Sequence, residues 1–449
     1  MNYKVPQHID KDKIFIVKRS EIEGRLEPDF YKPSIAMLEK KVRSMSTKKL
    51  RSYAQSFAGG ATPSKKEPEK YYSDSETGVP FLRVQNLQTT GELLLDGCVF
   101  INEETHNGLL KRSQVSEGDL LIKITGVGRM AIASVAPQDF VGNTNQHMVV
   151  IKTGDSSISK YLAHYLNLDI IEQIASRHST GGTRPALDYP SLKNIPIIEG
   201  LDFSIIDNAI KAKKAKETEA QQLLDSIDGY LLKELGITIP NVDNELNNRI
   251  FFSSFSKIEG NRLDPIYSLY LGKNASSTEY ENTSLRSVAY IVKGNALSSS
   301  DIEAGDIPVI AGGQTSPYSH NQANYEGNVI TVSASGAYSG YIWYHDYPIY
   351  ATDCCVIYSK DELRYMTKYL FEVLKLQQKG IYRLQTGAAQ PHVYAVDLQM
   401  LNIPIVSIDK QRDIVNHIAD IRTKAKALQA EGKAILEDAK RKVEEMIIG

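Results

Sequence analysis

Ile22-Glu23-Gly24-Arg25-Leu26-Glu27-Pro28-Asp29-Phe30-Tyr31 recurs as Ile258-Glu259-Gly260-Asn261-Arg262-Leu263-Asp264-Pro265-Ile266-Tyr267. A repeat of this kind decides how the whole chain is organised. Downstream of each copy the sequence is turn-rich and β-like, then passes into a short helical segment, Tyr161–Leu166 in one half and Tyr369–Leu374 in the other. A Thr-Gly loop follows in both halves. Thr180 to Pro185 and Thr386 to Pro391 have equal spacing, and both loops lead to Ile-Pro-Ile, at Ile195–Ile197 and Ile403–Ile405. The opening motifs lie 236 residues apart and the Thr-Gly loops 206, so the second variable region is about thirty residues shorter.

After each Ile-Pro-Ile the periodicity becomes helical. In the second half the apolar seam runs Ile414, Ile418, Ile421, Ala425, Leu428, Gly432, Ile435, Ala439, Val443 and Met446, close to a heptad. In the first half it runs Ile206, Ile210, Lys213, Glu217, Ala220, Leu224, Ile227 and Leu231, wetter in the middle, with Gly236 and Pro240 as the stop. Helices of ~35 residues are long against a mean of about 12. Two such helices with one seam imply packing against each other. The expected fold is α+β: two recognition domains in a pseudo-two-fold arrangement, separated by two long helices forming an antiparallel coiled coil. The expected boundaries are 1–201, a central helix over 202–236, a second domain over 237–406 and a C-terminal helix over 407–449.

The chain has 449 residues, Lys+Arg 52 against Asp+Glu 54, 42% hydrophobic and 24% charged. Those proportions belong to a folded globular protein and exclude wholesale disorder or a polybasic tail. A net charge of −2 means that any nucleic-acid surface must be a local basic patch. Cys98, Cys354 and Cys355 make no disulfide framework; the last two lie in a strand-like run and read as core. The start, MNYKVPQHIDKDKIF, has no apolar signal region, and no apolar run approaches the ~18 residues that cross a bilayer, so a cytoplasmic protein without membrane attachment is expected.

The usual catalytic signatures are missing from the sequence. There is no Walker A loop, HExxH, CxxC, Gly-x-Ser-x-Gly, complete dinucleotide fingerprint after Gly126, or Asn/Asp-Pro-Pro-aromatic tetrapeptide. The nine histidines are scattered, and the pairs Glu103-Glu104 and Glu444-Glu445 read as solvated surface. No catalytic residue and no metal ligand is expected.

Four kinds of segment combine glycine, small hydroxyls, amides and cations in the way that DNA contact requires. The first is Gly59-Gly60-Ala61-Thr62-Pro63-Ser64-Lys65-Lys66, where Lys65 and Lys66 are placed to meet phosphates. The second is Lys123-Ile124-Thr125-Gly126-Val127-Gly128-Arg129, read as a hairpin with Arg129 at its tip; Lys123 and Thr125 belong to the same candidate surface. Asn145 and Gln146 form the third, with amides suited to adenine. The fourth is the Thr-Gly loop with Arg177, Thr183 and Arg184. In the second half the matching candidates are Gln314, Ser335, Tyr338, Arg383, Gln385 and Gln390. Similar frames carrying different loop chemistry suit recognition of two different half-sites.

At these residues the chain resembles a specificity subunit of a type I restriction-modification system. Its first-half carriers are Gly59–Ser64, Val79-Pro80-Phe81-Leu82-Arg83-Val84, Gly118-Asp119-Leu120-Leu121-Ile122, Thr125-Gly126, Asn145-Gln146 and the Thr-Gly loop. In the second half they are Lys293-Gly294-Asn295-Ala296-Leu297, Ile307-Pro308-Val309-Ile310, Gly312-Gly313 and Asn402-Ile403-Pro404. The likeness covers nearly the whole chain and departs where Lys293-Gly294-Asn295 replaces the Gly-Gly-x-Pro-Ser opening. It implies two target recognition domains reading a split sequence in double-stranded DNA. It also implies that the helices act as spacer and dock for two methyltransferase subunits and, through the complex, for restriction subunits. S-adenosylmethionine is then expected on the methyltransferase partner, ATP and Mg on the restriction partner, and no cofactor on this chain. The other readings are an orphan or regulatory DNA-binding protein of another phage-defence system and, less favoured, a metal-dependent nuclease.

Overall fold

A computed structural model describes residues 10–238, 278–316, 318–387 and 389–449. The second copy of the opening repeat, 258–267, and Pro240 lie outside those residues. The chain divides into two compact units, Met1–Lys216 with Ala430–Gly449, and Glu217–Gln429.

In the first unit, helix α1 (Pro33–Met45) precedes the strands β1 (Ser56–Gly59), β2 (Val79–Leu82), β3 (Leu120–Lys123), β4 (Ala133–Val135), β5 (Val141–Thr144) and β6 (Met148–Lys152). Strands β1, β6, β3 and β4 form a four-stranded antiparallel sheet in that order. Strands β2 and β5 pair in parallel, Phe81 with Asn143 and Leu82 with Thr144, inside a separate five-stranded sheet. Helices α2 (Ser156–Leu166) and α3 (Asp169–Arg177) follow. Asp155 starts α2 by accepting from the Ser157 N–H at 2.7 Å, the usual device for an unpaired first-turn donor.

Among the described residues the second unit repeats this plan with fewer strands. It contains β7 (Ala289–Lys293), β8 (Ile307–Ile310), β9 (Val329–Ser333), β10 (Ile342–His345), β11 (Tyr350–Ala351), β12 (Cys354–Ser359) and α4 (Thr367–Leu376). The four-stranded sheet has the order β7, β12, β9, β10, matching the first unit strand for strand. The parallel pair recurs as β8 with β11, Val309 to Tyr350 and Ile310 to Ala351, but in a three-stranded sheet instead of a five-stranded one. The lost residues of the shorter variable region thus come from a peripheral sheet. Cys354 and Cys355 are buried in β12. A tyrosine locks the Ile-Pro-Ile segment in each unit: Tyr165 donates to the Pro196 carbonyl at 2.9 Å, Tyr369 to that of Pro404 at 3.0 Å.

The long helices span Ser204–Glu234 and Ile408–Ile448. In the first unit Ile206 and Ile210 share a core with Leu436, Ala439, Val443 and Ile447, and Lys216 pairs with Glu431 at 3.0 Å, so the two helices run antiparallel there. Gly432 permits the closest approach: a Cβ on it would stand 3.3 Å from the Cα of Lys213. In the second unit Ile227 and Leu231 pack with Ile414, Ile418 and Ile421, and the rings of Tyr230 and His417 lie 4.2 Å apart, again antiparallel. Leu224, Leu428 and Ile435 are half-buried. Each fully buried Leu or Ile contributes roughly 1.5–3 kcal/mol.

Two expectations are corrected here. Met446 is 66% exposed, and Ile447 is the buried residue. Beyond Gly432 the buried apolar positions are Leu436, Ala439, Val443 and Ile447, an eleven-residue period closer to a straight helix than to a heptad. Glu444 is not solvated surface. Its carboxylate accepts from the Asp169 N–H and, at 3.2 Å, from the Ile170 N–H, capping α3 from another element. Burial raises its pKa.

Candidate nucleic-acid interface

Three loops of the first unit are tied together by backbone alone. Thr180 and Ala186 exchange both N–H···O bonds at 2.8 Å, closing the Thr-Gly loop on itself. Gly126 N–H then donates to the Pro185 carbonyl at 3.0 Å, Leu187 N–H to Ile124 at 2.8 Å, and Ile124 N–H to His147 at 2.9 Å. Gly126 has φ +121°, a left-handed conformation open to glycine. The turn after β1 packs on the same place: a Cβ at Gly60 would lie 1.8 Å from the Thr144 carbonyl oxygen.

The second unit builds the same knot. Thr386 and His392 exchange bonds at 2.9 and 2.8 Å, and Gly336 N–H donates to Pro391 at 3.0 Å. Val393 N–H donates to Ala334 at 3.1 Å, and Ala334 N–H to Asp353 at 3.3 Å. A Cβ at Gly294 would lie 2.2 Å from the Thr352 oxygen, so Gly294 stands where Gly60 does although the surrounding motif differs.

Of the expected readers on the first knot, Lys65, Lys66, Gln146, Thr183 and Arg184 are exposed. Arg184 reaches the His147 Nε2 at 3.4 Å, and burial, with the Arg184 charge second, holds the His147 pKa below its usual value. Thr62 hydrogen-bonds Gln146. Thr125 is half-buried in its bridge to Ala186.

Other expected readers are committed inside the unit. Lys123 is buried, its ammonium donates to the Val127 carbonyl at 2.7 Å, and burial lowers its pKa; it braces the loop from within. Arg129 is not at a free hairpin tip: its guanidinium pairs with Asp169 and donates to the Asn167 carbonyl at 2.7 Å. Asn145 is buried and accepts from the His147 N–H at 3.0 Å, closing a turn. Arg177 donates to the Phe30 carbonyl at 2.6 Å and pairs with Glu39. Nothing near Arg129 or Arg177 marks them as engaged, because their partners come from elsewhere in the chain, whereas Lys123 and Asn145 are closed onto neighbours four and two residues away.

On the second knot Arg383 and Gln390 are exposed, Tyr338 is 48% exposed, and Gln314 is exposed against the Tyr382 hydroxyl. Gln385 is turned inward, donating to the Ser339 carbonyl at 2.7 Å. Ser335 donates to the Asp353 carboxylate. His147, at the end of the third candidate segment, and Asp353 complete the two knots; the 206-residue offset between the Thr-Gly loops is the signal that leads from one to the other.

Two stretches, residues 43–198 and 277–437, match the model of the type I restriction modification DNA specificity domain. The chain belongs to that family. Its two specificity domains coincide with the two knots. Among solved structures, the type I restriction-modification S subunit from M. genitalium is 14% identical, over 87% of this chain and 94% of that one, with a TM-score of 0.39. The HsdS subunit from Thermoanaerobacter tengcongensis is 15% identical over 89% and 95%, with a TM-score of 0.35. A chain from a structure titled for complex assembly and conformational transition of the type I R-M system is 15% identical over 89% and 95%, with a TM-score of 0.46. Comparison with curated proteins finds no match. Among the described residues no group of three or more His, Cys, Asp or Glu is placed to hold a metal, and no helix is long and apolar enough to cross a membrane.

Proposed function

We propose that the chain is the DNA sequence-specificity subunit of a type I restriction-modification complex. One observation carries this: two specificity domains build the same three-loop knot from equivalent backbone bonds, then present different exposed side chains on it. A conserved frame with exchanged tips is what reading two unlike half-sites of one duplex requires. Each domain reads one part of a bipartite double-stranded target. The long helices act as spacer and as the dock for two methyltransferase subunits, through which restriction subunits join. S-adenosylmethionine sits on the methyltransferase, ATP and Mg on the restriction subunit. This chain performs no reaction itself, and the complex works in the cytoplasm.

The test is sequencing that detects methyladenine in DNA exposed to the chain plus its methyltransferase. A bipartite motif is expected with both proteins and none with the chain and S-adenosylmethionine alone. Methyl transfer by the chain alone would refute the reading. Exchanging Val79–Ser191 for the segment of a relative should alter one half of the motif and leave the other.

A further inference from the structure

The two knots place chemically different hydrogen-bonding groups at matching positions. The match is made by backbone. His147 and Asp353 each accept the N–H that follows the central strand, from Ile124 and Ala334. Each also precedes the residue paired with that strand's end, Met148 with Lys123 and Cys354 with Ser333. Arg184 and Gln390 each precede the proline that accepts from a loop glycine. The first unit therefore presents Arg184 beside His147, and the second carries Gln390 and Asp353 at the corresponding backbone positions. Between strand end and knot the first unit has Asn145 and Gln146, the second only Thr352.

Asp353 is exposed, and among the described residues its one side-chain hydrogen-bond partner is the Ser335 hydroxyl and no Lys or Arg pairs with it. Gly312, without a side chain, leaves its carboxylate open: a Cβ there would lie 3.4 Å from Oδ2. An unpaired carboxylate on a surface that approaches phosphates is repulsive unless it meets a donor. The donors that DNA offers in the major groove are exocyclic amines, N4 of cytosine and N6 of adenine. We propose that Asp353 is a specificity-determining residue that accepts from the exocyclic amine of a base in the half-site read by the second unit. Arg184, which the first unit presents where the second has Gln390, meets a guanine acceptor edge in the other half-site. This inference rests on the reading of the knots as the DNA-facing surface.

The experiment selects from a random duplex library with the full chain and its methyltransferase, comparing the native chain, Asp353→Asn, Asp353→Ala and Arg184→Ala. Asp353→Ala should lose about tenfold discrimination at one position of one half-site, and Arg184→Ala should relax only the other half. Asp353→Asn keeps the shape and the contact with Ser335, so a shifted preference at that position excludes a folding defect. The selected base, cytosine or adenine, identifies which amine is read. A synthetic duplex lacking that amine should bind about tenfold more weakly to the native chain and equally to Asp353→Ala. Unchanged base preference in Asp353→Ala and Asp353→Asn, with the native chain still selecting a bipartite site, would overturn this inference alone. A native chain that selects no sequence would overturn the specificity reading and this inference with it.

Discussion

The guanidinium of Arg177 lies 4.5 Å over the ring of Phe30 while its Nε donates to that residue's own carbonyl at 2.6 Å. The same guanidinium pairs with the buried carboxylate of Glu39, which Arg43 and His178 also approach. Arg177, the last residue of α3, thus ties the opening repeat to that helix. Arg177→Ala should destabilise the first unit by roughly 2–4 kcal/mol, since Glu39 loses a buried partner. Denaturant unfolding measures this. Because no phosphate contact is lost, the salt slope of DNA binding should not change.

Acid should unlock the same cluster. Burial pushes the Glu39 pKa up, but hydrogen bonds and charge from His178 and Arg43 outweigh it and hold the group at about 2, against 4.5. A depressed carboxylate contributes stability that is complete above its unfolded value and lost as pH falls through its folded one. Stability of the first unit should therefore drop as pH falls from about 4.5 to about 2. Glu39→Gln should flatten that part of a stability profile followed by circular dichroism.

The sole tryptophan, Trp343, reports on the second unit. Its ring lies 4.9 Å from His345, which is buried, bonds Thr331 at 2.8 Å and has its pKa lowered by burial to about 4. The unfolded chain binds the proton first, so His345 removes stability as pH falls from about 6.5 towards about 4. Tryptophan fluorescence should titrate with a midpoint near that lower value, and His345→Gln should abolish the step. A midpoint at an ordinary histidine pKa would contradict the burial.

Gly60→Ala and Gly294→Ala should each damage one knot. The added carbon would stand 1.8 or 2.2 Å from a carbonyl oxygen, and backbone cannot move aside as a side chain can. A cost of roughly 1–3 kcal/mol is expected for such overpacking. Each substitution should weaken selection of one half-site, read by binding to duplexes varied in that half alone.

Much of this organisation is legible in residues. The repeated Thr-Gly spacing locates both knots, and the apolar seams locate both long helices, because each pattern is local and its period is set by backbone geometry. The free cations are not legible. Arg184 and Arg177 stand seven positions apart with the same chemistry, yet one is exposed and the other is stacked on Phe30. Met446 fits the heptad and Ile447 does not, yet Ile447 is buried.

From its sequence alone the protein has two like halves, a helix after each, and loops of matched spacing and unlike chemistry. Periodicity and spacing carry that information along the chain. Only tertiary structure decided that Lys123, Arg129 and Arg177 brace the recognition loops, that Glu444 caps α3, and that Asp353 stands where His147 does. The assignments of Arg177 and Glu444 depend on partners far away in sequence, Glu39 and Asp169, and that of Lys123 on the burial of its loop. A charge is available to a ligand only when folding has brought no opposite charge to meet it.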